Sequence, residues 1–133
     1  MSPFTFPVRV YWEDTDAGGV VFYANYLKYF ERARTEWLRA AGVEQQRLRD
    51  VTGAMFVVAE VQTRYLLPAK LDDLLIITVS VQELGAASLV VHQQVLRGEK
   101  VLAEGRIRIG CVRGDSLRPC RIPSEVVLAL SPG

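Results

Sequence analysis

The chain is poor in the side chains that carry most metal and nucleophilic chemistry: its 133 residues include one histidine, His92, and two cysteines, Cys111 and Cys120. That poverty excludes a histidine-rich metal site, an all-cysteine zinc site and a CxxC redox pair within one chain. The cysteines are expected as free thiols in a reducing compartment, since nothing in the chain marks it as secreted. Long apolar runs are missing as well. No stretch approaches the ~20 residues that cross a bilayer, and MSPFTFPVRV has no basic region followed by an apolar one. The expected location is cytoplasmic, with any membrane contact peripheral. Charge of one sign is also lacking: sixteen Lys and Arg against fifteen Asp and Glu leave a formal +1, no field with which to hold a polyanion, so nucleic acid is not an expected partner. No repeat, low-complexity tract or linker divides the sequence. Residues 1–133 are expected to form one domain, long enough to bury a core without a disulfide or metal.

What is present is an ordered series of patterns. From Phe6 to Glu13 residues alternate, with Val8, Val10 and Trp12 on one face, which predicts a half-buried strand. Asp14-Thr15-Asp16-Ala17-Gly18-Gly19 then breaks it with residues that bond their own backbone or accept positive φ. Tyr26, Tyr29, Phe30, Ala33, Trp37, Ala40 and Ala41 recur at steps of three and four, one face of a long helix that Gly42 stops, with Leu27 and Leu38 widening the stripe. Gln45 to Asp50 suits a short polar helix ended by Gly53. Four strand-like segments follow: Met55 to Leu67, Leu74 to Leu84, Ser88 to Leu96 and Val101 to Arg113. Short turns at Gly85-Ala86-Ala87 and Arg97 to Lys100 make the later strands antiparallel neighbours. Pro123 to Leu130 suits a last short helix capped by Ser124. The fold class is α+β, a five-stranded sheet on one long central helix. Its exposed edges favour self-association.

The densest chemical signal is Tyr11 to Tyr23, where Glu13, Asp14 and Asp16 precede the long helix. Helix N-termini carry unpaired N–H groups and a partial positive charge suited to a developing oxyanion. Gly18 and Gly19 clear side chains from the approach. A carboxylate across the gap then acts as a general base on water or as a nucleophile. The same residues also describe a plain surface turn and helix cap, and the residues alone do not choose.

The segment Tyr11 to Tyr26 resembles the signature of the hotdog-fold thioesterases of the 4-hydroxybenzoyl-CoA thioesterase superfamily. Phe30-Glu31-Arg32-Ala33-Arg34-Thr35-Glu36-Trp37-Leu38-Arg39 resembles in particular the Tol-Pal system-associated acyl-CoA thioesterase branch, as do Phe56-Val57-Val58, Tyr65-Leu66-Leu67-Pro68-Ala69 and Leu71-Asp72-Asp73. The similarity runs in order from Val8 to about Pro123. It implies a curved antiparallel sheet around the helix, a homo-oligomer (a dimer or dimer of dimers) and hydrolysis of an acyl-CoA substrate at subunit interfaces without cofactor or metal. By resemblance Asp16 is the catalytic carboxylate and the Tyr23 backbone amide polarises the carbonyl, with Gly19, Val20, Phe22 and Tyr26 around the substrate. Many members of the nearer branch have histidine where this chain has Tyr23. The turn Leu84 to Ser88, where relatives often place basic residues against the CoA nucleotide, is uncharged here; Arg64, Arg106 and Arg121 are alternative partners. A non-catalytic protein that binds acyl thioesters beside lipid or envelope machinery is the rival reading.

The remaining candidates have ordinary structural uses. Glu13 and Asp14 suit loop bonding or capping, and Glu36 an ion pair with Arg32 or Arg39. His92 lies mid-strand with no acidic companion, which disfavours a dehydratase built on a helix histidine. No G-x-S-x-G elbow exists for a serine hydrolase. The aromatics Tyr11, Trp12, Phe22, Tyr23, Tyr26, Tyr29 and Phe30 are expected to be mostly core, with some walling an acyl or aryl pocket.

Overall fold

A computed structural model describes residues 3–131. Five strands form one antiparallel sheet in the order β1-β3-β4-β5-β2, with β1 at Phe4–Arg9, β2 at Ala54–Tyr65, β3 at Leu74–Leu84, β4 at Ser88–Arg97 and β5 at Lys100–Arg113. Helix α1 (Asn25–Ala40) packs on β1, β3 and β4; α2 (Gln45–Thr52) and α3 (Ser124–Leu130) are short. At 1.5 Å per residue the 16 residues of α1 span roughly 24 Å.

Alternation places Leu75, Ile77 and Val79 of β3, Leu89, Val91 and Val95 of β4, and Ala103, Ile107 and Ile109 of β5 on the inner face, all buried. Against them α1 sets Tyr26, Tyr29, Phe30 and Ala33. Gly105 interrupts the inner row for a steric reason. A Cβ there would lie 3.0 Å from Phe30 Cε2 and 3.2 Å from Ile107 Cδ1, so the missing side chain is the space the Phe30 ring occupies. Gln93, fully buried beside it, closes its polar groups completely. Its Nε2 donates to the carbonyls of Phe30 (3.1 Å) and Thr78 (3.3 Å), and its Oε1 accepts from Arg34 Nη1 (3.0 Å). A buried amide satisfied in this way ties helix to sheet instead of weakening the core.

Several boundaries differ from the sequence expectation. The alternation through Glu13 does not continue as strand. β1 pairs with β3 from Phe4↔Val79 to Arg9↔Leu74, and beyond Leu74 its partner turns away at Asp72, whose φ is +70°. The Asp14 carboxylate then takes the Tyr11 N–H at 2.8 Å, winding Trp12–Asp14 into a 3-10 turn. Val8 and Val10 are buried as expected, but Trp12 is 81% exposed. Tyr11, Phe22 and Tyr23 are exposed too, so four of the seven aromatics expected mostly in the core lie outside it, and Leu27 does not widen the buried stripe. Helix α3 is capped by Pro123, not Ser124. Gly42 and Gly53 end α1 and α2 at φ +85° and +76°, conformations that L residues resist.

Candidate active site

Asp16 sits at the tip of a small hairpin closed by main-chain bonds. Its N–H donates to Val20 O (2.9 Å), the Gly19 N–H to its own carbonyl (3.0 Å), and Thr15 bridges Val21. Gly19 has φ +78°, which the turn requires and glycine supplies. The Asp16 side chain folds back so that Oδ1 accepts the Gly18 N–H at 2.8 Å. Oδ2 makes no hydrogen bond to any described residue, and the side chain is exposed. A Cβ at Gly18 would stand 3.2 Å from that same Oδ1.

The hairpin is anchored on both sides. Asp14 holds it from behind: its carbonyl accepts the Phe22 N–H (3.0 Å) and Asn25 Nδ2 (2.8 Å), while its buried carboxylate holds Tyr11. The buried Tyr29 hydroxyl lies close to Asp14 without reaching hydrogen-bond geometry; burial, then the neighbouring carboxylate, drive its ionisation far up. In front, Val21 N–H donates to Ala69 O (2.8 Å) and Val20 bridges Lys70. Ala69 N–H in turn donates to the Tyr26 hydroxyl at 3.1 Å. Burial raises the pKa of that hydroxyl, which the Ala69 contact partly opposes. The 68–73 connection is itself fixed by Asp73, whose Oδ2 accepts the Lys70 N–H (2.9 Å) and Arg97 Nη1 (2.8 Å). Burial alone would raise the Asp73 carboxyl, but these two donors outweigh it and its pKa is lowered.

Between hairpin and helix, Tyr23 lies two residues before the first residue of α1. Among the described residues no acceptor takes its N–H, and its side chain is 63% exposed. Tyr23 and Tyr26 line an open groove of about 260 Å³ together with Val21, Tyr65, Leu66 and Pro68. The Tyr65 ring stands 6.1 Å from that of Tyr23 and 5.3 Å from that of Tyr26. Of the residues expected around the substrate, Tyr26 is in this wall, whereas Gly19, Val20 and Phe22 are not among its lining residues; Asp16 is likewise outside it in the single chain. The Phe22 ring instead lies tilted against that of Tyr23, with centroids 4.9 Å apart. Sequence reading missed Val21 and the Tyr65 to Pro68 wall as site residues, although the Tyr65-Leu66-Leu67-Pro68-Ala69 motif was the signal that marked them.

The other candidates lie apart. His92 lines a separate hollow on the outer face of the sheet with Gln62, Arg64, Gln82, Glu104 and Arg106. There Arg64 pairs with Glu104 (3.3 Å) and Arg106 with Glu83 (3.3 Å). Arg121 is exposed on the segment before α3. Glu36 pairs with Arg39, as the spacing suggested. Among the described residues no three His, Cys, Asp or Glu side chains gather in a metal-ligating cluster, and no helix is long and apolar enough to cross a membrane.

A carboxylate on a glycine turn is followed seven residues later by a main-chain N–H, at the entry to a helix, that no described residue accepts. The Thioesterase-like superfamily matches residues 10–130. The chain belongs to that family. An acyl-CoA thioesterase YbgC of Haemophilus influenzae is 44% identical over 126 residues, covering 95% of this chain and 93% of the relative. An acyl-CoA thioester hydrolase YbgC of Escherichia coli is 42% identical over 125 residues, covering 93% and 92%. Among solved structures, a probable thioesterase from Bartonella henselae superposes with a TM-score of 0.86 at 34% identity, covering 92% of this chain and all of the other. The five-stranded antiparallel sheet with a helix on its inner face is thus the family's hotdog arrangement, and the match spans the Asp16 hairpin, Tyr23 and the Tyr65 to Pro68 wall together.

Proposed function

We propose that this member of the Thioesterase-like superfamily is an acyl-CoA thioesterase acting on an acyl- or aryl-CoA, with Asp16 as general base or nucleophile and the Tyr23 main-chain N–H as carbonyl donor. The observation that carries the reading is that Asp16 Oδ2 and the Tyr23 N–H, two groups of opposite polarity on one tethered loop, both lack a hydrogen-bond partner among the described residues. The names of the 42–44% identical relatives support the substrate class. In the reaction the thioester oxygen accepts the Tyr23 N–H, which stabilises the negative charge that develops as the carbonyl carbon is attacked. Asp16 takes a proton from the attacking water, or adds to the carbon itself and forms a mixed anhydride that water then opens. The C–S bond breaks, and the sulfur leaves with the proton Asp16 took from water or, by the anhydride route, as a thiolate that solvent protonates. Gly19, Val20 and Phe22 flank the approach, and Tyr26 lies beneath it.

The working unit is proposed to be a homo-oligomer, a dimer or a dimer of dimers, in the cytoplasm, with the sheet of each hotdog domain wrapped on α1 as its central helix. Edge strand β2 supports this. Val58, Val61 and Tyr65 are exposed along it, a row of unpaired backbone and apolar side chains that a second copy would cover. A partner there would also turn the open groove beside Tyr23 into a closed slot.

The test is thiol release from a panel of aliphatic and aromatic acyl-CoA thioesters, comparing the wild-type chain with Asp16→Asn. Asparagine keeps an oxygen for the Gly18 N–H, so fold and assembly should persist while turnover falls by about 10²- to 10⁴-fold. Near wild-type turnover by the variant would overturn the role of Asp16. Stoichiometric ligand retention by wild-type protein with no thiol released would favour the non-catalytic binding reading.

A further inference from the structure

The two cysteines, nine residues apart in sequence, meet in space. After β5 the chain turns at Asp115 and runs back beside it: Arg113 N–H donates to Arg118 O (2.8 Å), Cys120 N–H donates to Cys111 O (2.9 Å), and Val112 bridges Pro119 between them. One step outward along that ladder sets Cys111 opposite Cys120, joined by that single bond because the Cys111 N–H donates instead to Ala87 O (2.9 Å). Directly opposed residues in hydrogen-bonded register have Cα atoms about 5.5 Å apart, inside the range a disulfide spans. The two sulfurs are 3.6 Å apart, and the Cys111 thiol also faces Arg121 O at 3.7 Å. Closing from there to the bonded separation of about 2 Å asks for a side-chain adjustment and no rearrangement of the strands.

We propose that Cys111 and Cys120 form an intramolecular oxidation site, which a small peroxide converts to a disulfide that fastens the α3-bearing segment to β5. The two thiols have different parts. Cys120 is partly exposed and Cys111 is 1% exposed, so a solvent-borne oxidant reaches Cys120 first. Burial, and then Cys120 beside it, push the Cys111 thiol up to about 12, which suits it to resolve the reaction and not to begin it. In the first step the Cys120 sulfur attacks hydrogen peroxide: an S–O bond forms, the O–O bond breaks, and water leaves carrying the thiol proton. In the second the Cys111 sulfur displaces that oxygen: an S–S bond forms, the S–O bond breaks, and the Cys111 proton departs with the oxygen as a second water. Two thiols give up two electrons and one peroxide becomes two waters.

The bridge would act on a defined part of the fold. Beyond Cys120, Ile122 is buried and its N–H donates to Ala86 O at 2.8 Å; Val126 and Leu130 of α3 are buried in the core. Leu130 also lines a hollow of about 140 Å³ with Trp37, Leu38 and Phe56. A disulfide at residue 120 removes much of the freedom with which this segment could lift away.

The test treats the full chain with hydrogen peroxide, quenches it, denatures it, counts thiols and maps peptides, so that methionine oxidation is read separately. The expected result is two titratable thiols before and none after, a Cys111–Cys120 peptide lighter by two hydrogens, migration as a single chain without reductant, and full reversal by dithiothreitol. The oxidised protein should melt at least about 3 °C higher, as a short closed loop predicts. Cys120→Ser should leave Cys111 unmodified under the same dose, while Cys111→Ser, if it folds, should carry Cys120 to a higher oxide. Retention of both thiols, overoxidation of Cys120 without a bridge, or a bridge between chains in the wild type would overturn the proposal.

Discussion

Around Asp16 the chain is exposed and held by main-chain hydrogen bonds, whereas around Phe30 it is buried and held by shape. Most of the hairpin's grip comes from donors and acceptors that any residue carries, at Val20, Val21, Phe22 and Ala69, with the Asn25 amide and the Tyr26 hydroxyl adding one side-chain contact each. The helix-to-sheet contact depends on which side chain stands where: a ring at Phe30, no side chain at Gly105, an amide at Gln93. Side chains on the hairpin can therefore change the chemistry with little effect on stability. Side chains at the helix contact should do the reverse.

The sharpest way to break that comparison is to measure both quantities on Asp16→Asn. Its activity loss of about 10²- to 10⁴-fold should come with a melting temperature within a degree or two of wild type, since the lost charge is exposed and the turn bond to Gly18 survives. A large drop in melting temperature would mean that the carboxylate holds the loop, and the contrast would fail.

The opposite arm is Gly105→Ala. The added methyl meets Phe30 Cε2 at 3.0 Å inside a close-packed core, so the ring or strand must shift, a cost of about 1–3 kcal/mol. Equilibrium denaturation should register it, while thioester turnover measured well below the melting temperature stays within about twofold, because Phe30 lies on the sheet-facing stripe and not beside the Asp16 turn. A stability at or above wild type would show that the space at Gly105 is slack.

These two arms also separate what the residues declared from what they did not. The helix stripe, the four long strands and the glycine stops were legible because burial of one face imposes a period, and the period survives in the sequence. The extent of β1 was not, since its end depends on where β3 turns at Asp72, sixty residues away, and on a carboxylate that recruits its own backbone at Asp14. Exposure of Trp12 and Tyr23 was hidden for the same reason: aromatic type suggests core, but position is set by partners that local pattern cannot report. The Asp16 turn was visible as composition and as a family motif. Its anchoring through Ala69 and Tyr26 was not, because a hydroxyl accepting one main-chain N–H leaves no period at all.

That anchor gives a smaller test. Tyr26→Phe removes only the hydroxyl oxygen and leaves the buried Ala69 N–H without its acceptor, at a cost of about 1–2 kcal/mol. Because Ala69 also accepts from Val21, the loss should reach the hairpin and show as a raised KM with kcat less affected. An unchanged KM together with the stability loss would confine Tyr26 to the core.

Smallest of all should be Asp73→Asn, which loosens the far end of the same connection. Both partners of the Asp73 to Arg97 pair are partly exposed, at 22% and 33%, so screening limits its worth to about 1 kcal/mol at most. The sign of its pH dependence follows from the lowered pKa. The folded protein binds this proton less readily than the unfolded chain, so the contribution is fully present above the unfolded carboxylate range near pH 4 and is lost as the pH falls through the lowered folded value. Stability curves of wild type and Asp73→Asn should therefore run parallel from pH 5 to 7 and converge below about pH 4. Curves that stay parallel into acid would mean that Asp73 contributes through its fit beneath Lys70 and not through its charge.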